Sequence, residues 1–361
     1  MHVAYYITGH GYGHGVRSCA VCNEFSNDIR LTIRTNLSRD FLDSEMRREF
    51  EYVEEELDCG CIQTDSVTVD IEKTIQRYSE IAEANAGRLG RHVAWARSEN
   101  VDVIVCDITP FACEVAHNAG VTSVVVSNFS WVDIYEPYAE TSSRFRPIVE
   151  QMKQQYALAD LLLALEPPNA LNGFRRREDM PVVGRTGTAR PDDIRRHFGI
   201  GRQKKIAVIY VGPFGLDTVA WPHIERFRDW EFIGLHPLPV QPKNFHTAPK
   251  GFLPYEDLCA SADCIISKLG YGVYSECIVN GVPLVFCPRN DFAEYPVLEQ
   301  SILSWGHAYR LSLDKFINVE WDDALNRIAG TSAPEPVRTN AAYRCARRIE
   351  QAAQNSRNAR A

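Results

Sequence analysis

Two parallel α/β units facing each other across a cleft are what this sequence predicts, and three observations carry that expectation. Short runs rich in Val and Ile alternate with helix-like stretches through the first half and again through the second. This is the pattern of βα units in a mostly parallel sheet. A polar, basic region from Arg175 to Lys205 interrupts the alternation, and in each half a glycine-rich turn links a strand-like run to a helix.

Taken in order, VAYYITG, IRLTIRT, VDVIVCD, VTSVVVSN and DLLLALE read as strands, with helices over Asp70 to Ser98 and over FACEVAHNAG. The stretches RRRED, GRTGTARPDD and GRQKK then read as a junction. Beyond it the alternation restarts with KKIAVIYVG, a helix around WPHIERF, WEFIGL, DCIIS, a helix from Val273 to Asn280, and VPLVFCP. RTNAAYRCARRIEQAAQ reads as a solvated, basic closing helix. The resulting division is an acceptor-side unit over 1–185, a nucleotide-binding unit over 186–335, and a helix and tail over 336–361. Binding is expected in the cleft between facing sheets.

At 361 residues, 45% hydrophobic and 24% charged, the chain is longer than one core usually organises. A formal charge of −8 argues against a nucleic-acid backbone or an anionic membrane as the main partner. No run approaches the roughly 18 apolar residues of a spanning helix, and MHVAYYITG enters a strand directly, so a cytoplasmic protein is expected. Most of the eleven cysteines, Cys106, Cys264 and Cys287 among them, lie in apolar runs and read as reduced core residues. Cys19 and Cys22 form a lone CxxC that no second pair completes into a zinc site.

The first glycine turn, YYITGHGYGHGVRS, invites comparison with the dinucleotide fingerprint G-x-G-x-x-G. Neither register fits, because His14 or Val16 occupies the third glycine position, and the next strand ends in Arg34-Thr35-Asn36 without the acidic residue a NAD ribose needs. No phosphate-binding GxxxxGK[ST] occurs either. What remains is a glycine loop carrying His10 and His14 at the carboxyl end of the first strand, where open α/β sheets bind ligands. Val16, Cys19 and Ala20 recur at helical spacing and are expected to pack on the sheet. Neutral imidazole can accept a proton near pH 7, which makes both histidines catalytic candidates.

The second half repeats the arrangement in SKLGYGVYSECIVNGVPLVFCPRNDFAEYP, Ser267 to Pro296. A helix starting near Gly272 would aim free N–H groups at a phosphate, with Lys268 beside it. Glu276, one turn on, could accept hydrogen bonds from ribose hydroxyls. The turn at Gly212, Pro213, Phe214 and Gly215 offers another phosphate cradle.

In that order the segments resemble the glycosyltransferases of the GT-B fold, two Rossmann-like domains around a central cleft. SKLGYGVYSECIVNGVPLVFCP is similar to the donor signature of the branch containing the UDP-N-acetylglucosamine transferase of lipid II synthesis. YYITGHGYGH, VSNFSW and KLGYGVYSE resemble the glycosyltransferase-like amino-terminal region of L-arabinokinases. The kinase half of those proteins has no match among these residues, so phosphorylation of arabinose is not expected to carry over.

The resemblance implies an inverting transferase using a nucleotide diphosphate sugar, expected to be UDP-linked, with no separate cofactor. It implies His14 as base on the acceptor hydroxyl, with His10 lining the pocket. In the family an aspartate several residues beyond the fourth strand orients the base. Ala112 holds that position here, and Asp107, at the strand end, is the nearest candidate. Phe252 and Leu253 are implied at the base, Glu276 at the ribose, and Lys268, Gly270, Tyr271, Gly272, Ser275 and the 212–215 turn around the nucleotide and its diphosphate. Asp291 and Glu294 would hold sugar hydroxyls.

Gly11, Tyr12, Gly13, Asn128, Phe129 and Trp131 are expected to line the acceptor side, an aromatic there suiting a sugar or base face. A glycoside, a nucleoside or a lipid-linked acceptor would suit it, with a modified base among the acceptors to consider. The rival Asp-x-Asp metal clamp is absent from the sequence, so a metal-independent site is expected. Two alternatives accompany this reading: a UDP-sugar epimerase or hydrolase of the same fold, and a non-catalytic nucleotide-sugar sensor.

Overall fold

The computed structural model describes residues 1–63, 69–211, 218–289 and 292–360. The first unit contains strands β1 (His2–Ile7), β2 (Arg30–Thr35), β3 (Glu51–Glu54), β4 (Val103–Asp107), β5 (Thr122–Ser127), β6 (Leu161–Leu165) and β7 (Arg177–Met180). Its helices are α1 (Tyr12–Asn23), α2 (Arg39–Glu45), α3 (Ile71–Ser98), α4 (Pro110–Ala119), α5 (Trp131–Thr141) and α6 (Phe145–Tyr156). The sheet runs β3-β2-β1-β4-β5-β6-β7, every pair parallel. Its central strands are buried on both faces, which is why they read as unbroken apolar runs.

A connecting stretch then forms α7 (Pro191–Phe198). Pro191 in the first turn, Asp192 and Asp193 beside it, basic residues in the last turn and left-handed Gly199 after it mark a short helix, though its N-cap Arg190 makes no side-chain cap. The second unit holds β8 (Lys205–Tyr210), β9 (Trp230–Gly234), β10 (Phe245–Thr247), β11 (Cys264–Lys268), β12 (Leu284–Cys287) and β13 (Ala308–Arg310). It also holds α8 (Tyr255–Ala260), α9 (Tyr271–Asn280), α10 (Tyr295–Trp305), α11 (Leu313–Ile317) and α12 (Asp322–Ala329). Its sheet is also wholly parallel, in the order β10-β9-β8-β11-β12-β13.

Three expectations are corrected here. Arg177–Met180, within the stretch expected to be junction, is an edge strand of the first sheet. WPHIERF forms a 3-10 turn over Trp221–Arg226 rather than an α-helix. The closing helix, α13 (Ala341–Arg360), is not merely solvated. Cys345, Ala346, Ile349 and Ala353 are fully buried in the core shared with the first unit, and Arg348 forks onto Glu178 of β7 at 2.7 and 2.9 Å. The chain thus returns to its first unit at its end. The CxxC cysteines lie buried in α1, where burial pushes the Cys19 thiol up to about 12, far from a reactive thiolate.

Candidate functional site

The carboxyl ends of β1 and β4 lie side by side, which puts Asp107 beneath the first turn of α1. Because α1 starts at Tyr12, His14 stands on that turn rather than in the loop before it. Its Nδ1 is 2.7 Å from Asp107 Oδ1. A carboxylate only accepts, so the hydrogen sits on Nδ1 and Nε2 keeps its lone pair; Arg17 Nη2, 2.9 Å from the same Nδ1, gives its two hydrogens to Asp107 and Ser127 instead. Among the described residues no hydrogen bond occupies Nε2, and His14 lines the interdomain cleft.

Asp107 is fully buried and held on every side. Arg17 forks onto it, Nε to Oδ2 and Nη2 to Oδ1, both at 2.6 Å, and the Ser18 hydroxyl adds a bond of 2.9 Å. Burial alone would push the carboxyl up, but Arg17 and His14 outweigh it and hold it down at about 2. The His14 ring is therefore oriented by a permanent carboxylate, an arrangement that fixes its tautomer.

His10 differs in kind. Its Nδ1 accepts the Cys61 amide at 3.2 Å, and its ring lies edge-on to Trp131 and stacked on Phe292. The close approach requires Gly60, which has φ +55° and whose added Cβ would stand 2.1 Å from His10 Nδ1. Burial, helped by the charges of His14, Arg289 and Lys268, pushes His10 down to about 3. It stays neutral at working pH. Behind it Asp58 accepts from Thr8 and from Trp131 Nε1, and burial pushes its carboxyl up to about 6.

The opposite wall belongs to the second unit. The first-turn amides of α9 have no side-chain cap, and neither do those of α1. The two helices meet end to end, with a Cβ on Gly272 coming 3.8 Å from Gly13 Cα. Lys268 and Arg289 line the same cleft. Arg289 lies 4.9 Å from the Phe292 ring centroid, and its Nε is buried with no hydrogen-bond partner among the described residues. Burial, then the Arg289 charge, pushes the Lys268 ammonium down to about 8. Two helix N-termini and the cations Lys268 and Arg289 converging on a cleft of about 550 Å³ make a site for an anion. Among the described residues no group of His, Cys, Asp and Glu side chains could hold a metal ion.

Of the residues singled out from sequence, His10, Gly11, Tyr12, Gly13, His14, Phe129, Lys268, Gly270, Tyr271, Gly272 and Glu294 line this one cleft. Leu253 lines a second interdomain cavity of about 1010 Å³ together with Arg185, Tyr255 and Glu256. Gly212, Pro213, Phe214, Gly215 and Asp291 lie outside the described residues. Four placements differ from expectation. Trp131 is fully buried behind His10 rather than facing the cleft, because its indole N–H serves Asp58. Phe252 packs against His197 at a tilt, 4.3 Å between ring centroids, instead of lying open to a base.

Asn128 is also fully buried, donating to Glu294 at 2.7 Å across the interface. Glu276 is only 1% exposed and ion-paired to Arg185 at 2.7 Å, so no open carboxylate awaits a ribose. Burial pushes its carboxyl up to about 7 even against that partner. The Ser275 hydroxyl bonds back to the Gly272 carbonyl at 2.9 Å. Sequence reading missed Arg17, Arg289, Phe292 and Arg185, since charged side chains read as solvated unless a partner is known. Val16 and Ala20 are only half-buried, and the closed face of α1 runs through His14, Arg17, Ser18 and Val21.

Two parallel sheets opposed across a cleft, with a final helix crossing back, match solved structures along the whole chain. A spinosyn rhamnosyltransferase complexed with thymidine diphosphate superposes with a TM-score of 0.62 at 14% identity, covering 100% of both chains. The fold is GT-B. A UDP-glucosyltransferase from Polygonum tinctorium, capable of glucosylating indoxyl, shares this GT-B fold with a TM-score of 0.63 at 14% identity, over 99% of this chain and 93% of that one. In sequence the chain is similar to L-arabinokinase of Arabidopsis thaliana, 29% identical over 335 residues. That match covers 90% of this chain but 32% of the relative, so the chain spans about a third of it. No family model matches.

Proposed function

We propose that this chain is an inverting glycosyltransferase that moves a sugar from a nucleoside diphosphate, UDP being the expected nucleotide, to an acceptor hydroxyl. The observation carrying this reading is that His14, oriented by Asp107, shares one cleft with Lys268, Arg289 and the open end of α9. His14 Nε2 takes the proton of the acceptor hydroxyl, whose oxygen attacks the anomeric carbon. The bond from that carbon to the diphosphate oxygen breaks, and its electron pair leaves with the diphosphate. A single displacement inverts the centre.

Lys268, Arg289 and the α9 amides receive the charge that develops. His10 serves as a neutral wall, Glu294 as a sugar ligand, and Leu253 as a contact to the base. For Glu276 to reach the ribose, Arg185 must yield its hold, and the cavity beside Arg185 gives it room to move. A structurally similar spinosyn rhamnosyltransferase is complexed with thymidine diphosphate, so dTDP-sugars are included in the test beside UDP-sugars.

The test is incubation with UDP-, GDP- and dTDP-sugars and a panel of hydroxyl acceptors, followed by mass spectrometry. A new glycoside together with free nucleoside diphosphate is expected. An altered free or nucleotide sugar would favour epimerisation instead, and saturable binding without turnover a sensor. UDP is also expected to raise the melting temperature by mass action, and NAD to leave it unchanged.

Lys268 gives this reading a pH signature. With its ammonium held near 8, the free protein loses that charge as pH rises through 8, and a bound diphosphate restores it. Nucleoside diphosphate binding at pH 8.5 is therefore expected, by about one proton at most, to take up protons, seen as a buffer-dependent calorimetric heat. Affinity should fall toward pH 9.5, and Lys268→Arg should abolish the uptake. Equal proton balance in wild type and Lys268→Arg would remove Lys268 from the diphosphate site.

A further inference from the structure

Arg17 is 3% exposed, on a helix face where an arginine costs free energy unless every donor is matched. One edge of its guanidinium holds Asp107. Nη1 donates to Asn128 Oδ1 at 2.5 Å, and Nη2 reaches Ser127 Oγ at 3.0 Å. Its flat face lies 5.2 Å from the ring centroid of Tyr271, the first residue of α9. Asn128 in turn donates through Nδ2 to Glu294 of the second unit. The carboxamide has only this orientation available. Turned over, it would set its NH2 against the guanidinium and its carbonyl against the carboxylate, two repulsive contacts in place of two bonds.

We propose that Arg17 is a positioning residue that ties the orientation of the base to the closure of the cleft. It rests on His14 being that base. Through Asp107 the guanidinium fixes the imidazole, and through Asn128 and Tyr271 it registers whether the second unit is docked. It also matches the charge of Asp107, so the buried carboxylate that orients His14 is not left uncompensated. The charged and titratable groups facing His14 are Arg17 from α1, Asp107 from β4, His10 from the preceding loop and Asp58 from the loop after β3. Glu294 joins them through Asn128, and Lys268 and Arg289 stand across the cleft.

The experiment compares Arg17→Met and Arg17→Lys in the full chain, reading kcat and KM against pH and the nitrogen resonances of the His14 ring. Arg17→Met should lower kcat about 10- to 100-fold with donor KM nearly unchanged, and move the acid limb of the rate profile to higher pH by about one unit, because Asp107 then stabilises the imidazolium unopposed. Arg17→Lys should restore the acid limb but only part of kcat, since the charge returns without the fork. A folded Arg17→Met with wild-type acid limb and kcat overturns the proposal.

Should Arg17→Met not fold, a double-mutant cycle of Arg17→Lys with Glu294→Gln decides. Losses in kcat that fail to multiply support coupling through Asn128, and fully multiplicative losses overturn it. The ring resonances keep the two readings separable. If His14→Ala retains turnover, the base assignment falls, yet a ring that stays protonated to higher pH in Arg17→Met still upholds the positioning role. An unchanged ring refutes it.

Discussion

Replacing His14 with alanine should lower turnover by about two to four orders of magnitude and leave nucleoside diphosphate affinity nearly intact. The first effect follows from removing the lone pair at Nε2 that the Asp107 bond holds in place. The second follows from Lys268, Arg289 and the α9 amides lying in the other unit, while the α1 backbone amides are kept by the substitution. His10→Ala should be milder in turnover, since that ring is held neutral with its Nδ1 committed to the Cys61 amide. Steady-state kinetics with calorimetry on both variants separates the roles. Near-wild-type turnover in His14→Ala with a large loss in His10→Ala would exchange them, and full activity in both would leave two structural histidines.

Asp107→Asn should damage both chemistry and stability. Turnover should fall by about three orders of magnitude, because a carboxamide can present its NH2 to His14 Nδ1 and trap the wrong tautomer. Stability should fall by about 3 to 5 kcal/mol, because Arg17 is left buried without its counter-charge. The pH dependence has a definite sign. A carboxyl held near 2 in the folded chain and near 3.9 in the unfolded one stabilises the fold fully above the unfolded value. That contribution, about 3 kcal/mol, drains away as pH drops toward 2. Denaturant titrations at pH 7 and pH 3 should show a shallower acid loss in Asp107→Asn than in wild type. An unchanged melting temperature at pH 7 would mean that Asn128 and Ser127 alone suffice to hold Arg17.

The nine strands read from the sequence are the ones with continuous apolar runs, and the four it missed share a physical reason. EYVE, REDM, FHT and AYR, forming β3, β7, β10 and β13, are the outer strands of the two sheets. Each is short and partly exposed, so it carries no buried run to detect. The site was legible where chemistry is local, as in the two histidines, Lys268 and the glycines around α9. It was illegible where a side chain's environment comes from far along the chain. Arg17 is buried because Asp107 meets it from 90 residues away, and Asn128 turns inward because Glu294 approaches from the other unit. The family spacing pointed to the position of Ala112 for the orienting aspartate, whereas parallel pairing of β1 with β4 already sets Asp107 under α1.

The return of α13 to the first unit bears on how the cleft can open. The outgoing stretch after β7 and the incoming stretch before α13 run side by side, joined by the Thr339 hydroxyl donating to the Val182 carbonyl at 3.1 Å. Beside them the Val183 amide donates to the Tyr271 hydroxyl at 3.1 Å. Both passages of the chain therefore share a single seam, as two leaves share one spine. Swinging about that line keeps these two bonds, whereas sliding the units past each other would shear both passages at once. Rotation about the seam is therefore the expected mode of opening, and it requires the bonds from Asn128 to Glu294 and from Arg47 to Glu256 to part.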